Sequence, residues 1–357
     1  QMNLSDYVLR FLLKKKVKEE FLITGGAISF LVDSFSKNKK IKYISVGHEQ
    51  GAAMMADAYS REGPNFSCTM VTSGPGATNL LTGIACSYFD SIPSLHICGQ
   101  VNTYEQQSSN RSTINVRQVG FQETDIVNMS KPITKFSYKL RNANEIKYIL
   151  EKSYYLATSG RPGPVLIDIP MDLQKKELNL KKLKNFKPNS KKNRNIKRKI
   201  KLILSEIEKS KKPVIILGGG IKNSKSSNLA NKFLKKFNIP IVTTWSGVDL
   251  IDHKDPKYVG NVGVYGSRAA NFSVQNSDLI ISRKQYFNQL YGFWLGQCIG
   301  NWTGLVTEMD KIGNIGEIKT GAFYTRDDWG KSDQPNIWDN GKISKISNTI
   351  DFVFAGE

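Results

Sequence analysis

Short apolar runs, each leading into a helix-length stretch, constrain this chain more than any other feature. Phe21-Leu22-Ile23 ends at Gly25-Gly26, and a helix is expected from Ala27 to about Phe35. Tyr43-Ile44-Ser45-Val46 precedes a helix expected from His48 to Arg61. Cys68-Thr69-Met70-Val71-Thr72 precedes one from Gly76 to Tyr88, and Leu95-His96-Ile97-Cys98 is a fourth strand. A helix over 143–159 then leads to Pro164-Val165-Leu166-Ile167-Asp168-Ile169, a buried strand. At the start, Ser5 is expected to cap a helix with Val8, Leu9, Leu12 and Leu13 on one side. Strands separated by helices are paired in parallel, because each crossover must return over a face of the sheet. The fold class is therefore α/β, with a doubly wound parallel sheet covered on both faces.

The pattern recurs after residue 212. Pro213-Val214-Ile215-Ile216-Leu217 runs into Gly218-Gly219-Gly220, a helix is expected from Ser224 to Phe237, and Ile239 to Thr244 is the next strand. Ser267 to Gln275 reads as a helix and Asp278 to Ile281 as a strand, a Rossmann-like arrangement. The triple glycine lacks the G-x-G-x-x-G spacing and by itself marks only a tight turn. From Arg283 the alternation stops, and Trp294, Trp302, Trp329 and Trp338 all fall beyond it. Four segments result: a first domain over 1–173, a basic linker over 174–212, a partial second domain over 213–282, and an irregular C-terminal tail over 283–357.

Composition removes several function classes. The net charge is +20, but residues 174–212 hold 16 Lys/Arg against 3 Asp/Glu. That segment has few aromatics on which bases could stack, so it reads as a solvated linker leading into a surface helix, not a nucleic-acid arm. No apolar run approaches the ~20 residues of a membrane span. Lys14-Lys15-Lys16 follows the first apolar stretch instead of preceding it, unlike a signal peptide. Cys68, Cys86, Cys98 and Cys298 show no C-x-x-C spacing, and His48, His96 and His253 lie far apart. The expectation is reduced, mostly buried thiols in a cytoplasmic protein with no metal site of its own.

Open parallel sheets bind ligands beyond the carboxyl ends of their strands. Gly25-Gly26, Glu49 and Ser73-Gly74-Pro75-Gly76 all fall at such ends, so they should meet on one rim. Glycines allow close approach of a ligand to backbone, and helix starts present free N–H groups. Each residue also has a plainer reading. Glu49 would stabilise its own helix start, Pro75 suits a first helical turn, and Asn79 lies on a polar side. Phe121 as a lone aromatic is ordinarily core, and His48 is a rim histidine with no catalytic role.

The order and spacing of these motifs resemble the thiamine-diphosphate-dependent acetolactate synthase family. The resemblance is carried by Gly25-Gly26-Ala27, His48-Glu49-Gln50-Gly51-Ala52, Met55-Ala56-Asp57, Ser73-Gly74-Pro75-Gly76-Ala77-Thr78-Asn79-Leu80, Gly120-Phe121-Gln122-Glu123 and Ser159-Gly160-Arg161-Pro162-Gly163-Pro164-Val165. It covers essentially all of residues 3–172, and more loosely 213–281 through Leu217-Gly218-Gly219-Gly220 and Gly260-Asn261-Val262-Gly263-Val264-Tyr265-Gly266. It implies a thiamine-diphosphate-binding fold followed by a Rossmann-like central domain.

The resemblance also implies roles. Glu49 would hydrogen-bond N1′ of the aminopyrimidine and favour the imino tautomer that activates the thiazolium ring. Gly25, Gly26, Pro75, Asn79 and Gln122 would line the pyrimidine site, and Phe121 the substrate cavity. The implied reaction decarboxylates a 2-oxo acid, pyruvate, and joins the product to a second 2-oxo acid, as in branched-chain amino acid biosynthesis. The family binds the diphosphate and its Mg2+ through a Gly-Asp-Gly motif followed by Asn-Asn, and this sequence contains no Gly-Asp-Gly. The resemblance implies a homo-oligomer, a dimer or tetramer, and this chain alone is expected to be inactive unless a separate subunit supplies that half of the site. FAD is left open: Gly218, Gly219, Gly220, Gly263 and Gly266 lie where an ADP moiety could approach. Tyr265, however, stands where these synthases often have histidine, and Ser282-Arg283-Lys284-Gln285-Tyr286 replaces their arginine-bearing loop. Met54 and Arg117-Gln118-Val119-Gly120 differ from the usual biosynthetic pattern, which keeps open a related thiamine lyase or decarboxylase. A non-catalytic remnant of the fold is the third reading.

Overall fold

In a computed structural model of the chain, residues 2–62, 66–107, 116–188 and 196–281 are described, together with the backbone of a strand pair at Trp338–Asp339 and Lys342–Ile343. The rest of the tail expected at 283–357 lies outside the described residues, as does Cys298. The chain forms two compact units, Gln1–Lys192 and Asn193–Glu357.

The first unit is built on strands β1 (Glu19–Leu22), β2 (Lys42–Ser45), β3 (Ser67–Val71), β4 (Ser94–Gln100), β5 (Phe136–Lys139) and β6 (Val165–Pro170). They form one sheet in the order β2-β1-β3-β4-β6-β5, with every pair parallel. Its helices are α1 (Leu4–Lys14), α2 (Ser29–Ser36), α3 (Glu49–Glu62), α4 (Pro75–Thr78), α5 (Leu81–Asp90), α6 (Ile126–Ser130), α7 (Ile146–Thr158) and α8 (Met171–Gln174).

Strand alternation sorts the core onto two faces. Leu22, Met70, Leu95, Ile97, Val165 and Ile167 pack with Val8 and Leu12 of α1, Leu31 and Phe35 of α2, and Ile149 and Leu150 of α7. On the other face Val71, Cys98 and Leu166 meet Ala53 of α3, Ile84 of α5 and Ile126 of α6. This is the expected doubly wound α/β architecture.

Several expectations are corrected in detail. Asn3, not Ser5, caps α1, accepting from the Asp6 N–H at 2.8 Å. Ser5 is buried and donates to the Gln174 carbonyl. The helix expected from Gly76 to Tyr88 is two pieces, α4 and α5. The edge strand β5 has little signal in the sequence, because Phe136-Ser137-Tyr138-Lys139 is short and half-buried throughout. Part of the basic segment is docked, not solvated. Leu178 and Leu183 join the first core, and Phe186 packs against Tyr148 and Tyr155. Lysines flank Leu178, Leu183 and Phe186 on both sides and mask their apolar spacing in the sequence.

The second unit has helices α9 (Ile196–Lys209), α10 (Gly220–Asn223), α11 (Ser227–Leu234) and α12 (Arg268–Gln275). Strands β7 (Pro213–Leu217), β8 (Ile241–Thr243), β9 (Tyr258–Asn261) and β10 (Leu279–Ile281) form a second parallel sheet, ordered β10-β7-β8-β9. Ile215, Leu217 and Ile241 face Ile207 and Leu234, while Val214, Ile216 and Val242 face Ala270 and Val274. The helix expected from Ser224 to Phe237 is shorter, Ser227–Leu234, because Lys225 at φ +54 breaks the backbone just before it.

Candidate active site

In the first sheet the chain steps outward from β1 to β2, then crosses back to β3. Helices therefore leave the carboxyl ends of β1 and β3 in opposite directions and open a crevice between them. Gly25 follows β1, and Thr72 to Gly76 follow β3. Glu49 opens α3, which follows β2.

These residues meet. Glu49 is half-buried, and its Oε2 accepts from Asn79 Nδ2 at 2.9 Å. Its Oε1 lies 3.2 Å from where a Cβ on Gly76 would stand, and Thr72 Cγ2 lies 2.8 Å from the same point. A Cβ on Gly25 would be 2.5 Å from the Thr72 Cβ. Thr72 Oγ1 also accepts from the Ala27 N–H at 3.3 Å. The carboxylate thus stands over bare backbone, with one oxygen committed to Asn79.

Across the crevice, Gly74 adopts φ +63 and Gln122 φ +54. A Cβ on Gly74 would come within 2.7 Å of the Gln122 Cβ and 2.9 Å of its carbonyl oxygen. A non-glycine residue in this left-handed region costs about 1–3 kcal/mol and persists only where its surroundings hold it. Gln122 is exposed beside this turn, and Phe121 is 80% exposed, so it is not the core residue that a lone aromatic usually is.

Other sites have plainer roles. Pro75 takes the first position of α4, and His48 Nδ1 accepts from the Gln50 N–H at 3.1 Å at the start of α3. Gly26 has open space where a Cβ would be, beside the Gly25 turn. His96 is buried between Thr69 Oγ1 and Ser94 Oγ, each 2.8 Å away, and burial lowers its pKa to about 3. It is a neutral core residue. Cys68 and Cys98 are buried, whereas Cys86 is exposed. Among the described residues, no three His, Cys, Asp or Glu come together to hold a metal.

Sequence reasoning missed Thr72, the residue on which Gly25, Ala27 and Gly76 all converge. Its one signal was position: a hydroxyl residue ending a strand immediately before Ser73-Gly74.

The second unit treats its glycines unequally. A Cβ on Gly219 would strike Ser246, and one on Gly266 would strike the Asn261 carbonyl, so internal packing requires both. Gly220 and Gly263 face open space, and Gly218 meets nothing nearer than 3.7 Å. Beside them Trp245 and Tyr265, 61% and 74% exposed, pack at a tilt with ring centroids 5.6 Å apart.

Two family models match the chain. Residues 2–129 match the thiamine pyrophosphate enzyme N-terminal TPP binding domain, and residues 200–283 the thiamine pyrophosphate enzyme central domain. The chain belongs to the thiamine pyrophosphate enzymes. Within them it is similar to acetolactate synthase large subunits. It is 37% identical over 287 residues to that of Lactococcus lactis, covering 80% of this chain and 48% of the relative. With that of Buchnera aphidicola subsp. Schizaphis graminum the identity is 34% over 286 residues, covering 78% and 48%. With the isozyme 3 large subunit of Escherichia coli it is 32% over 285 residues, covering 78% and 47%. The chain spans about half the length of the curated relatives it matches.

Proposed function

We propose that this chain binds the pyrimidine end of thiamine diphosphate at the Glu49 cradle and serves decarboxylation of a 2-oxo acid followed by carboligation to a second. The observation that carries this reading is the carboxylate over the bare backbone of Gly76, braced on one oxygen by Asn79. That leaves Oε1 to meet a ring N–H, and the glycine cradle admits a flat ring. The residues therefore fit the group. Bound there, the cofactor supplies the carbanion-stabilising chemistry.

The chain's own residues bind and orient. Glu49 Oε1 would hold a proton at the ring nitrogen, as a fixed acid–base partner. Asn79 keeps the carboxylate from rotating away. Gly25, Gly26, Pro75 and Gln122 would shape the pyrimidine slot, and Phe121 would face the substrate. The similarity to acetolactate synthase large subunits favours pyruvate as the 2-oxo acid. A homo-oligomer is proposed, with the diphosphate and Mg2+ assigned to a domain outside these residues, in a longer chain or a separate subunit, in a cytoplasmic enzyme. FAD is proposed for the second unit, on the open backbone of Gly218, Gly220 and Gly263 beside Trp245 and Tyr265.

Calorimetric titration of the chain with thiamine diphosphate tests the cradle. Wild type binds, and Glu49→Gln weakens binding by about tenfold or more, the scale of a lost charge-assisted hydrogen bond. Equal affinity in the two proteins would remove Glu49 from the site. The same titration with FAD checks the second unit.

A further inference from the structure

The α3/α5/α6 face of the first sheet buries a carboxyl that takes no part in the cradle. Asp168, on β6, is fully buried. Its Oδ2 accepts from Gln100 Nε2 at 3.1 Å, and its Oδ1 has no hydrogen-bond partner among the described residues. Burial raises its pKa to about 7. The Gln100 bond and the charge of Lys139 oppose that rise, and Asp125 and Glu123 add to it. A buried acid this poorly compensated is a cost to folding.

Gln100 shows what that cost could serve. It ends β4, is 1% exposed, and uses both amide atoms. Nε2 also donates to the Thr124 carbonyl at 3.0 Å, and Oε1 accepts from the Val101 N–H at 3.1 Å. Asp168 Oδ2 and the Thr124 carbonyl both accept and the Val101 N–H donates, so the three together fix which way the amide faces. With Nε2 toward β6, the same group reaches Thr124. Thr124 in turn donates through Oγ1 to the Gln122 carbonyl at 3.3 Å. Gln122 is the residue held at φ +54 against Gly74. Glu123 secures the other side of the turn, accepting from the Gln107 N–H at 2.8 Å.

We propose that Asp168, acting through Gln100, is a positioning residue that holds the Phe121–Gln122 turn against Gly74. Its consequence for cofactor binding rests on the function proposed above, whereas the contact itself does not. Two measurements on the full chain test it: hydrogen exchange of residues 116–125, and titration with thiamine diphosphate. Asp168→Ala and Gln100→Met accelerate exchange in 116–125 by about tenfold or more, with β1 and β3 at wild-type rates. Both weaken thiamine diphosphate binding. Asp168→Asn keeps an acceptor for Gln100 and restores wild-type behaviour in both readouts, whereas Asp168→Leu, which fills the space without an acceptor, behaves like Asp168→Ala. If Asp168→Ala unfolds the protein, exchange rises everywhere, and Gln100→Met, which keeps the volume, decides. Wild-type exchange at 116–125 in Gln100→Met, or no rescue by Asp168→Asn, overturns the proposal. A wild-type chain that fails to bind thiamine diphosphate overturns the functional reading instead, and the exchange result still decides the positioning.

Discussion

Glu20 shows how one residue's place on a strand sets its chemistry. It sits on β1 opposite Cys68 and Tyr43, and alternation turns it with Leu22 toward the core. Both its carboxyl oxygens are buried, and the Cys68 thiol beside them only partly offsets that burial. Burial raises its pKa to about 8. A folded pKa above the unfolded one means the folded state binds the extra proton. The group's stabilising contribution is complete below the unfolded value, near 4.5, and is lost as pH rises toward 8. Glu20→Gln removes the titration. Denaturant unfolding should therefore find the variant matching wild type near pH 5 and more stable than it at pH 8, by at least about 1 kcal/mol. Parallel pH profiles for the two proteins would contradict this. In the sequence, Glu19-Glu20 looks like a charged surface pair. Period-2 alternation places the two on opposite faces, but which face is buried depends on helices far away in the chain.

At the scale of elements, the cradle depends on how α3 sits on α5. A Cβ on Gly83 of α5 would lie 2.4 Å from the Ala53 Cβ of α3, so the helices touch through small residues. Arg61 at the end of α3 binds Asp57 at 2.5 Å and Asp90 of α5 at 2.6 Å, and Ser87 of α5 donates to Asp57. Gly83→Val should force the helices apart. The expected effect is a loss of about 1–3 kcal/mol, read as a lower unfolding midpoint, with weaker thiamine diphosphate binding as Glu49 shifts. An unchanged midpoint would mean that α3 accommodates the methyl groups freely. Strong periodicity made α3 and β3 legible in the sequence. β5, β9 and the break between α4 and α5 were not legible, since short edge strands and helix interruptions are settled by what packs beside them.

Across the whole molecule, two parallel sheets were foreseeable, because alternating strands and helices leave few other ways to bury both faces of a sheet. The complete reaction is a larger matter, since the relatives are about twice as long. These 357 residues purified as they stand should show no sustained pyruvate consumption with thiamine diphosphate and Mg2+. Adding a polypeptide with a Gly-Asp-Gly and Asn-Asn domain should restore it. Robust turnover by the chain alone would refute that expectation.

By itself, the sequence determined the α/β class, the strand ends where a ligand could bind, and an acid placed at one of them. Those follow from periodicity and from residues close together in the chain. Only the tertiary structure decided that Thr72 is the point of convergence and that Gln122 folds back on Gly74. It also decided that the acids of Glu20 and Asp168 are buried. These depend on register between strands and on crossovers that bring distant residues within contact, which no local pattern encodes.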